Sequence, residues 1–210
     1  MASLLYIIAS PRGSQSHSRV VGDAFVSAYR EAHHADKIDT LDLYAEEIPP
    51  FEGFTLQAKY AVLQGKEHTE EEARAWKAVE KVIGRFKAAD KVVAALPMWN
   101  FGVPYRLKHY IDVLVQPGLT FSFSPETGYT GLVTGRPYLG IYARGGEYGP
   151  DSGAEALDMQ KSYMETIMGF IGFEEIRSIL IEPTLMGGPD KAAEKRAEAI
   201  KAAQRMAAGF

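Results

Sequence analysis

Four short apolar runs mark the chain, at Leu4–Ala9, Val92–Leu96, Tyr138–Ala143 and Ile176–Ile181. Runs of this length without polar alternation suit strands buried on both faces, as in a parallel sheet. A weaker run, Lys37–Leu43, mixes polar and apolar positions and reads as a more exposed strand. Helical spacing fills the intervals. Residues 18–34 place Val20, Val21, Ala24, Phe25, Ala28 and Tyr29 on one stripe. Residues 69–88 open on Thr69 and Glu72, the spacing of a capping box, and continue with Trp76, Val79, Val82, Ile83 and Phe86. Residues 104–115 begin with Pro104, which suits a first helical turn. Helices over 153–171 and 189–208 complete the set, the last rich in Ala, Lys and Glu.

The order is β-α five times in 210 residues. Strands separated by helices pair in parallel through right-handed crossovers. The expectation is one α/β domain over residues 1–210: a three-layer, doubly wound sandwich around a five-stranded parallel sheet. Two longer connections interrupt it. Tyr44 to about His68 carries Pro49, Pro50 and Gly53 and reads as loop. Gln116 to Arg136 holds an alternating stretch, Thr120–Ser124, before a turn at Pro125–Gly131, which suits a β-hairpin excursion. Ligands of such sheets bind beyond the carboxyl ends of the strands, so the loops after the first, third and fourth strands carry the functional question.

Composition narrows the chemistry. The chain has no Cys, which excludes disulfides, zinc-thiolate sites, iron–sulfur clusters and a thiol nucleophile. A net charge of −4 disfavours nucleic acid and anionic membrane as partners. No apolar run reaches the length of a membrane span, and no basic region precedes the first apolar run, so a cytoplasmic protein without a signal peptide is expected. The His residues outside the first loop lack companions at metal-ligand spacing, so no metal site is expected; His33 and His34 suit a helix C-terminus.

The first loop reads Ser10-Pro11-Arg12-Gly13-Ser14-Gln15-Ser16-His17-Ser18-Arg19. Hydroxyls, two Arg and a helix N-terminus converge there, which is an anion site in kind. One Ser suffices as helix cap; four favour a ligand. The loop has neither the glycines of a dinucleotide fingerprint nor a P-loop Gly-Lys-Ser/Thr, so a monophosphate is expected. After the third strand, Pro97-Met98-Trp99-Asn100-Phe101-Gly102-Val103-Pro104 makes a rigid aromatic shelf, where Asn100 offers amide groups to a planar heterocycle; packing under the next helix is the plainer alternative. After the fourth, Ala143-Arg144-Gly145-Gly146-Glu147-Tyr148-Gly149 lets a backbone approach a ring closely, or is an ordinary turn. Together the three loops match a phosphate tail, a ring face and that ring's polar edge.

These residues resemble the FMN-dependent azoreductases, which also reduce quinones and are related to the NAD(P)H:quinone oxidoreductases. The resemblance is carried by Ser10 with Ser16-His17-Ser18, Pro97-Met98-Trp99-Asn100-Phe101, Gly118-Leu119-Thr120-Phe121, Leu132-Val133-Thr134-Gly135, Arg144-Gly145-Gly146 and Gly169-Phe170-Ile171-Gly172, in order over essentially the whole chain. It implies a flavodoxin-like fold and a homodimer with its active site at the interface. It further implies FMN held by Ser10, Ser16, His17 and Ser18 at the phosphate, by Pro97, Met98, Trp99, Asn100 and Phe101 at the isoalloxazine, and by Ala143, Arg144, Gly145, Gly146 and Tyr148 at its pyrimidine edge. Phe121, Phe123 and Ile167 match acceptor-pocket positions, with dimer core as their alternative. Trp99 replaces the usual Tyr, Ala143 a common Ser, and Tyr148 the His of some members; these bear on substrate preference and on charge stabilisation at the reduced ring.

The implied reaction is ping-pong. NADH or NADPH delivers a hydride to the flavin, and a quinone or azo compound then takes it in the same place. Backbone donors of Gly145 and Gly146 would stabilise the reduced ring, with Tyr148 or water as proton source and no catalytic acid assigned. No ribose reader separates NADH from NADPH. The rival readings are a flavodoxin-type electron carrier, against which the mild acidity and the aromatic excursions weigh, and a flavin-free interaction protein.

Overall fold

The computed structural model describes residues 1–210. Its strands are β1 (Ser3–Ile8), β2 (Lys37–Asp42), β3 (Lys91–Pro97), β4 (Phe121–Ser124), β5 (Gly128–Gly131), β6 (Pro137–Ala143) and β7 (Glu175–Ile181). Its helices are α1 (His17–Ala32), α2 (Phe54–Leu63), α3 (Glu70–Lys87), α4 (Tyr105–Leu114), α5 (Met159–Ile171) and α6 (Gly188–Ala207). The order β2-β1-β3-β6-β7 forms one five-stranded sheet, parallel throughout. Side-chain alternation splits the core in two. Leu5, Ile7, Val92 and Leu96 meet α3, α4 and α5; Leu4, Tyr6, Ile8 and Val93 meet α1 and α6. This is the doubly wound flavodoxin-like sandwich. No helix is long and apolar enough to cross a membrane.

Three expectations need correction. The connection after Tyr44 is not loop throughout, because Phe54–Leu63 forms α2. Its buried residues, Thr55, Ala58 and Ala61, are small enough for close packing on α3. That apolar stretch shows little one-sided pattern, so Pro49, Pro50 and Gly53 dominate a reading by sequence. The helix expected from residue 153 starts at Met159: Gly153 holds φ +69°, and the Asp158 carboxylate caps the helix by accepting from Lys161 N–H at 3.0 Å. Strand β7 is not buried on both faces but is an edge strand, with only Ile179 and Ile181 fully inside.

The hairpin forms, pairing Phe121 with Gly131 and Phe123 with Tyr129, but its second strand takes Gly128–Gly131 out of the stretch expected as turn. It is docked at the far end of α5, where Val133 N–H donates to Ile171 C=O at 2.8 Å. The chain steps outward from β1 to β2, then returns through β3 to β6 and β7. That reversal between β1 and β3 opens a crevice at the carboxyl edge of the sheet, where the three loops meet.

Candidate functional site

The first loop bends through a short 3₁₀ turn, Gly13–Gln15, into α1. Ser16 is the N-cap of α1: its Oγ accepts from Arg19 N–H at 3.3 Å. Its Oγ also lies 3.2 Å from Ser18 Oγ, and both side chains are buried. Ser10 is 1% exposed and its Oγ has no partner; the Nδ1 of His17 is likewise buried without one. Burial, Arg196 and Arg12 all push the His17 imidazole below its usual pKa. Neither arginine is paired with a carboxylate. A buried hydroxyl and an imidazole nitrogen, both without partners, beside unpaired cations and the positive end of a helix are the makings of a phosphate site.

The second loop is a tight turn. Trp99 and Gly102 exchange backbone hydrogen bonds of 3.1 and 3.0 Å, while Asn100 (φ 47°) and Phe101 (φ 69°) both sit left-handed. Two positive φ values inside a four-residue turn are the type I′ pattern, tolerated by Asn but strained for Phe. The turn hangs from the sheet through Met98 N–H, which donates to Ala143 C=O at 2.7 Å. Trp99 and Phe101 emerge exposed as the expected shelf, and the N–H groups of Asn100 and Phe101 have no protein partner. Tyr44, at the end of β2, backs it: its ring meets Trp99 at 6.4 Å and Tyr105 at 6.2 Å.

In the third loop Gly145 and Gly146 keep both N–H groups free, while Gly145 C=O accepts from Leu185 and Met186 at 3.0 Å. Arg144 is placed differently from its neighbours. Its guanidinium is 1% exposed and engaged by Asp158 at 2.8 Å and Glu182 at 3.2 Å, so only the backbone beside it is offered to the crevice. Across the crevice the Phe101 and Tyr148 rings meet edge to face at 6.3 Å. Beside them opens a cleft of about 580 Å³, with Leu157, Met186 and Lys191 in its wall.

Comparison with known proteins converges on this architecture. A family model described as flavodoxin-like fold matches residues 2–207. The chain is 53% identical over 210 residues, 100% of both chains, to a protein of Nitratidesulfovibrio vulgaris (strain DP4) named FMN-dependent NADH:quinone oxidoreductase. The chain belongs to that family. Among solved structures it is similar to an azoreductase from Bacillus anthracis str. Sterne, with TM-score 0.90 and 35% identity over 100% of each chain. It is also similar to an FMN-dependent NADH-azoreductase from Bacillus anthracis str. Ames Ancestor in complex with FMN, with TM-score 0.87 and 29% identity over 99% of this chain and 100% of that one.

The family's cofactor can be tested against the donors present. A phosphate suits Ser10 Oγ, His17 Nδ1 and the N–H groups of His17 and Ser18 at the start of α1, which lack partners. A ring with a polar edge suits the free N–H groups of Gly145 and Gly146, and its face suits the Trp99–Phe101 shelf. The residues therefore fit FMN. Three sequence-predicted positions fall elsewhere. Phe121 packs on Phe170 at 4.9 Å, Phe123 on Tyr129 at 5.0 Å, and Ile167 half-buried on α5 one turn before Phe170. Helix α5 starts at the carboxyl edge and spans about 20 Å, so its last turn and the hairpin lie at the opposite end of the sheet from the three loops. Sequence reading missed Tyr44, Asp158, Glu182, Leu185 and Met186. Their contacts bridge 14 to 61 positions, and only the spacing of Asp158 before an apolar helix carried a local signal.

Proposed function

We propose that the chain holds FMN across the three loops and carries hydride from NADH to quinones and aromatic azo compounds, acting as a cytoplasmic homodimer. The observation that carries the reading is the conjunction, on one sheet edge, of buried unpartnered Ser10 Oγ and His17 Nδ1 with the unpartnered N–H groups of Gly145 and Gly146. Bound FMN supplies the hydride chemistry, accepting from reduced nicotinamide and passing to an acceptor. The chain's work is positional. Ser10, Ser16, His17, Ser18 and the start of α1 neutralise the phosphate. Pro97, Met98, Trp99, Asn100 and Phe101 hold one ring face and leave the other for two substrates in turn. The Gly145 and Gly146 N–H groups, fixed before reaction, face the polar edge where negative charge grows on reduction. The backbone of Ala143 and Arg144 and the ring of Tyr148 close that edge.

Dimer formation is supported by the aromatic cluster of Phe121, Phe123, Tyr129 and Phe170, in which Phe123 is 61% and Tyr129 67% exposed. Lying far from the chain's own loops, Phe121, Phe123 and Ile167 can line an acceptor pocket only across a subunit boundary. The test is anaerobic mixing of the purified yellow protein with NADH. Near-stoichiometric bleaching of the flavin, followed by recolouring with a quinone, is expected. A yellow protein that NADH does not bleach is an electron carrier, and a chain that takes up no FMN sinks the proposal.

A further inference from the structure

Arg144 is the most deeply buried charge in the molecule, and no step of the proposed reaction uses its side chain. It sits where four elements converge. Its Nη2 faces Asp158 Oδ2 at 2.8 Å, Nη1 donates to Glu182 Oε2 at 3.2 Å and Nε to Gln160 Oε1 at 3.3 Å. Gln160 passes the link on, donating from Nε2 to Leu96 C=O of β3 at 3.3 Å. The same Glu182 oxygen accepts from Tyr148 N–H at 3.3 Å. The guanidinium lies 5.9 Å from the rings of both Tyr142 and Tyr148. The backbone of Arg144 is equally committed: N–H donates to Ile181 C=O at 3.0 Å, and C=O accepts from both Thr184 N–H and Thr184 Oγ1 at 2.8 Å.

The two residues that follow are glycines, whose backbone has no side chain to hold it in place. Gly145 has one tether of its own, its C=O accepting from Leu185 and Met186 at 3.0 Å; otherwise the free N–H groups are aimed by what is fixed on either side. Upstream that is Arg144, gripped by side chain and backbone; downstream it is Tyr148, tied by its N–H to the same carboxylate. We propose that Glu182 and Asp158 are positioning residues that act through Arg144 to aim the Gly145 and Gly146 N–H groups at the flavin's polar edge. The inference rests on the FMN reading above. Glu182 is the cleaner of the two to test, since Asp158 also caps α5. A loop held this way presents its donors without first ordering them, so loss of the clamp weakens the ligand as well as the fold, in which Arg144 would keep Asp158 alone as counter-charge.

The experiment uses the full chain, with and without FMN. Glu182→Ala opens the clamp, Glu182→Gln restores an acceptor oxygen, and Val79→Ala, a buried α3 substitution, reports general destabilisation. Glu182→Ala is expected to bind FMN roughly tenfold more weakly, with the flavin midpoint potential displaced. In the ligand-free chain the Thr184, Leu185 and Met186 amides should lose hydrogen-exchange protection. Glu182→Gln should recover most of the affinity, and Val79→Ala should lower Tm while leaving Kd and those amides unmoved. Unchanged FMN affinity and unchanged exchange in Glu182→Ala would overturn the inference, as would a Kd shift equally large in Val79→Ala. If Glu182→Ala does not fold, Asp158→Asn, which keeps the cap oxygen, is read in the same way. A wild-type chain that takes up no FMN instead removes the function proposed above, and the exchange measurement still judges the clamp.

Discussion

The hydroxyl oxygens of Ser16 and Ser18 lie 3.2 Å apart, buried in the first turn of α1, yet only Ser16 serves the helix as its cap. The pair therefore separates two effects. Ser16→Ala should cost about 1 kcal/mol of stability from the lost cap, together with FMN affinity. Ser18→Ala should leave Tm nearly unchanged while weakening FMN by roughly 1–3 kcal/mol, the scale of a hydrogen bond to a charged group. Thermal unfolding of the apo chain and a fluorescence titration with FMN read the two. Equal affinity in Ser18→Ala and wild type would remove this loop from the phosphate.

Phe101 holds φ 69°, a backbone state that costs a bulky residue about 1–3 kcal/mol. Phe101→Gly removes the strain and the ring together. Its apo Tm is expected to equal or exceed that of wild type, while FMN affinity and the rate of flavin reduction by NADH fall. A clear drop in Tm would mean that the ring works as core rather than as a shelf.

His17 gives the site a pH dependence. Burial first, then Arg196 and Arg12, lower its pKa below the ordinary 6.5. The folded apo chain thus favours neutral imidazole, and the unfolded chain binds the proton more readily. The stability tied to this residue is complete above the ordinary His range and is lost as pH falls through the lowered value. Apo Tm should decline between pH 7 and pH 5, His17→Gln should flatten that decline, and bound FMN should shrink it because a phosphate offsets the like charges. An identical slope in His17→Gln would contradict this account.

Gly131 closes the hairpin against the end of α5. A Cβ there would come within 2.4 Å of Gly172 N and 2.5 Å of Ile171 C, both backbone atoms that cannot turn aside. Gly131→Ala should cost about 1–3 kcal/mol and loosen the aromatic cluster carried by the hairpin. Sedimentation at fixed concentration should then show a weaker dimer, with FMN binding in the distant loops less affected. Wild-type assembly in this variant would detach the hairpin from the interface.

Much of this was open to inspection in the residues alone. The capping box at Thr69 and Glu72 forms with both of its hydrogen bonds, at 2.8 and 3.3 Å, because it needs only four consecutive residues. The hairpin and the apolar strands follow from alternation and run length, which are equally local. Helix α2 was hidden because its stability comes from small residues packed on α3, not from a stripe along its own sequence. The type I′ turn at Asn100 and Phe101 was hidden too, since neither residue demands it and the sheet imposes it through Met98 and Ala143.

The sequence by itself determined the order of elements, the parallel sheet, the edge on which a ligand binds and the hydroxyl-rich loop that suits a phosphate, because each is set by short-range periodicity or by residue type. Tertiary structure alone decided which of those residues face the ligand. It turned the Arg144 side chain away from the crevice and into the grip of Asp158 and Glu182, 14 and 38 positions onward, and it carried Phe121, Phe123 and Ile167 to the far end of the sheet. A buried cation must find its counter-charges wherever the chain brings them, and that pairing is written in the packing of strand ends, not in any local pattern.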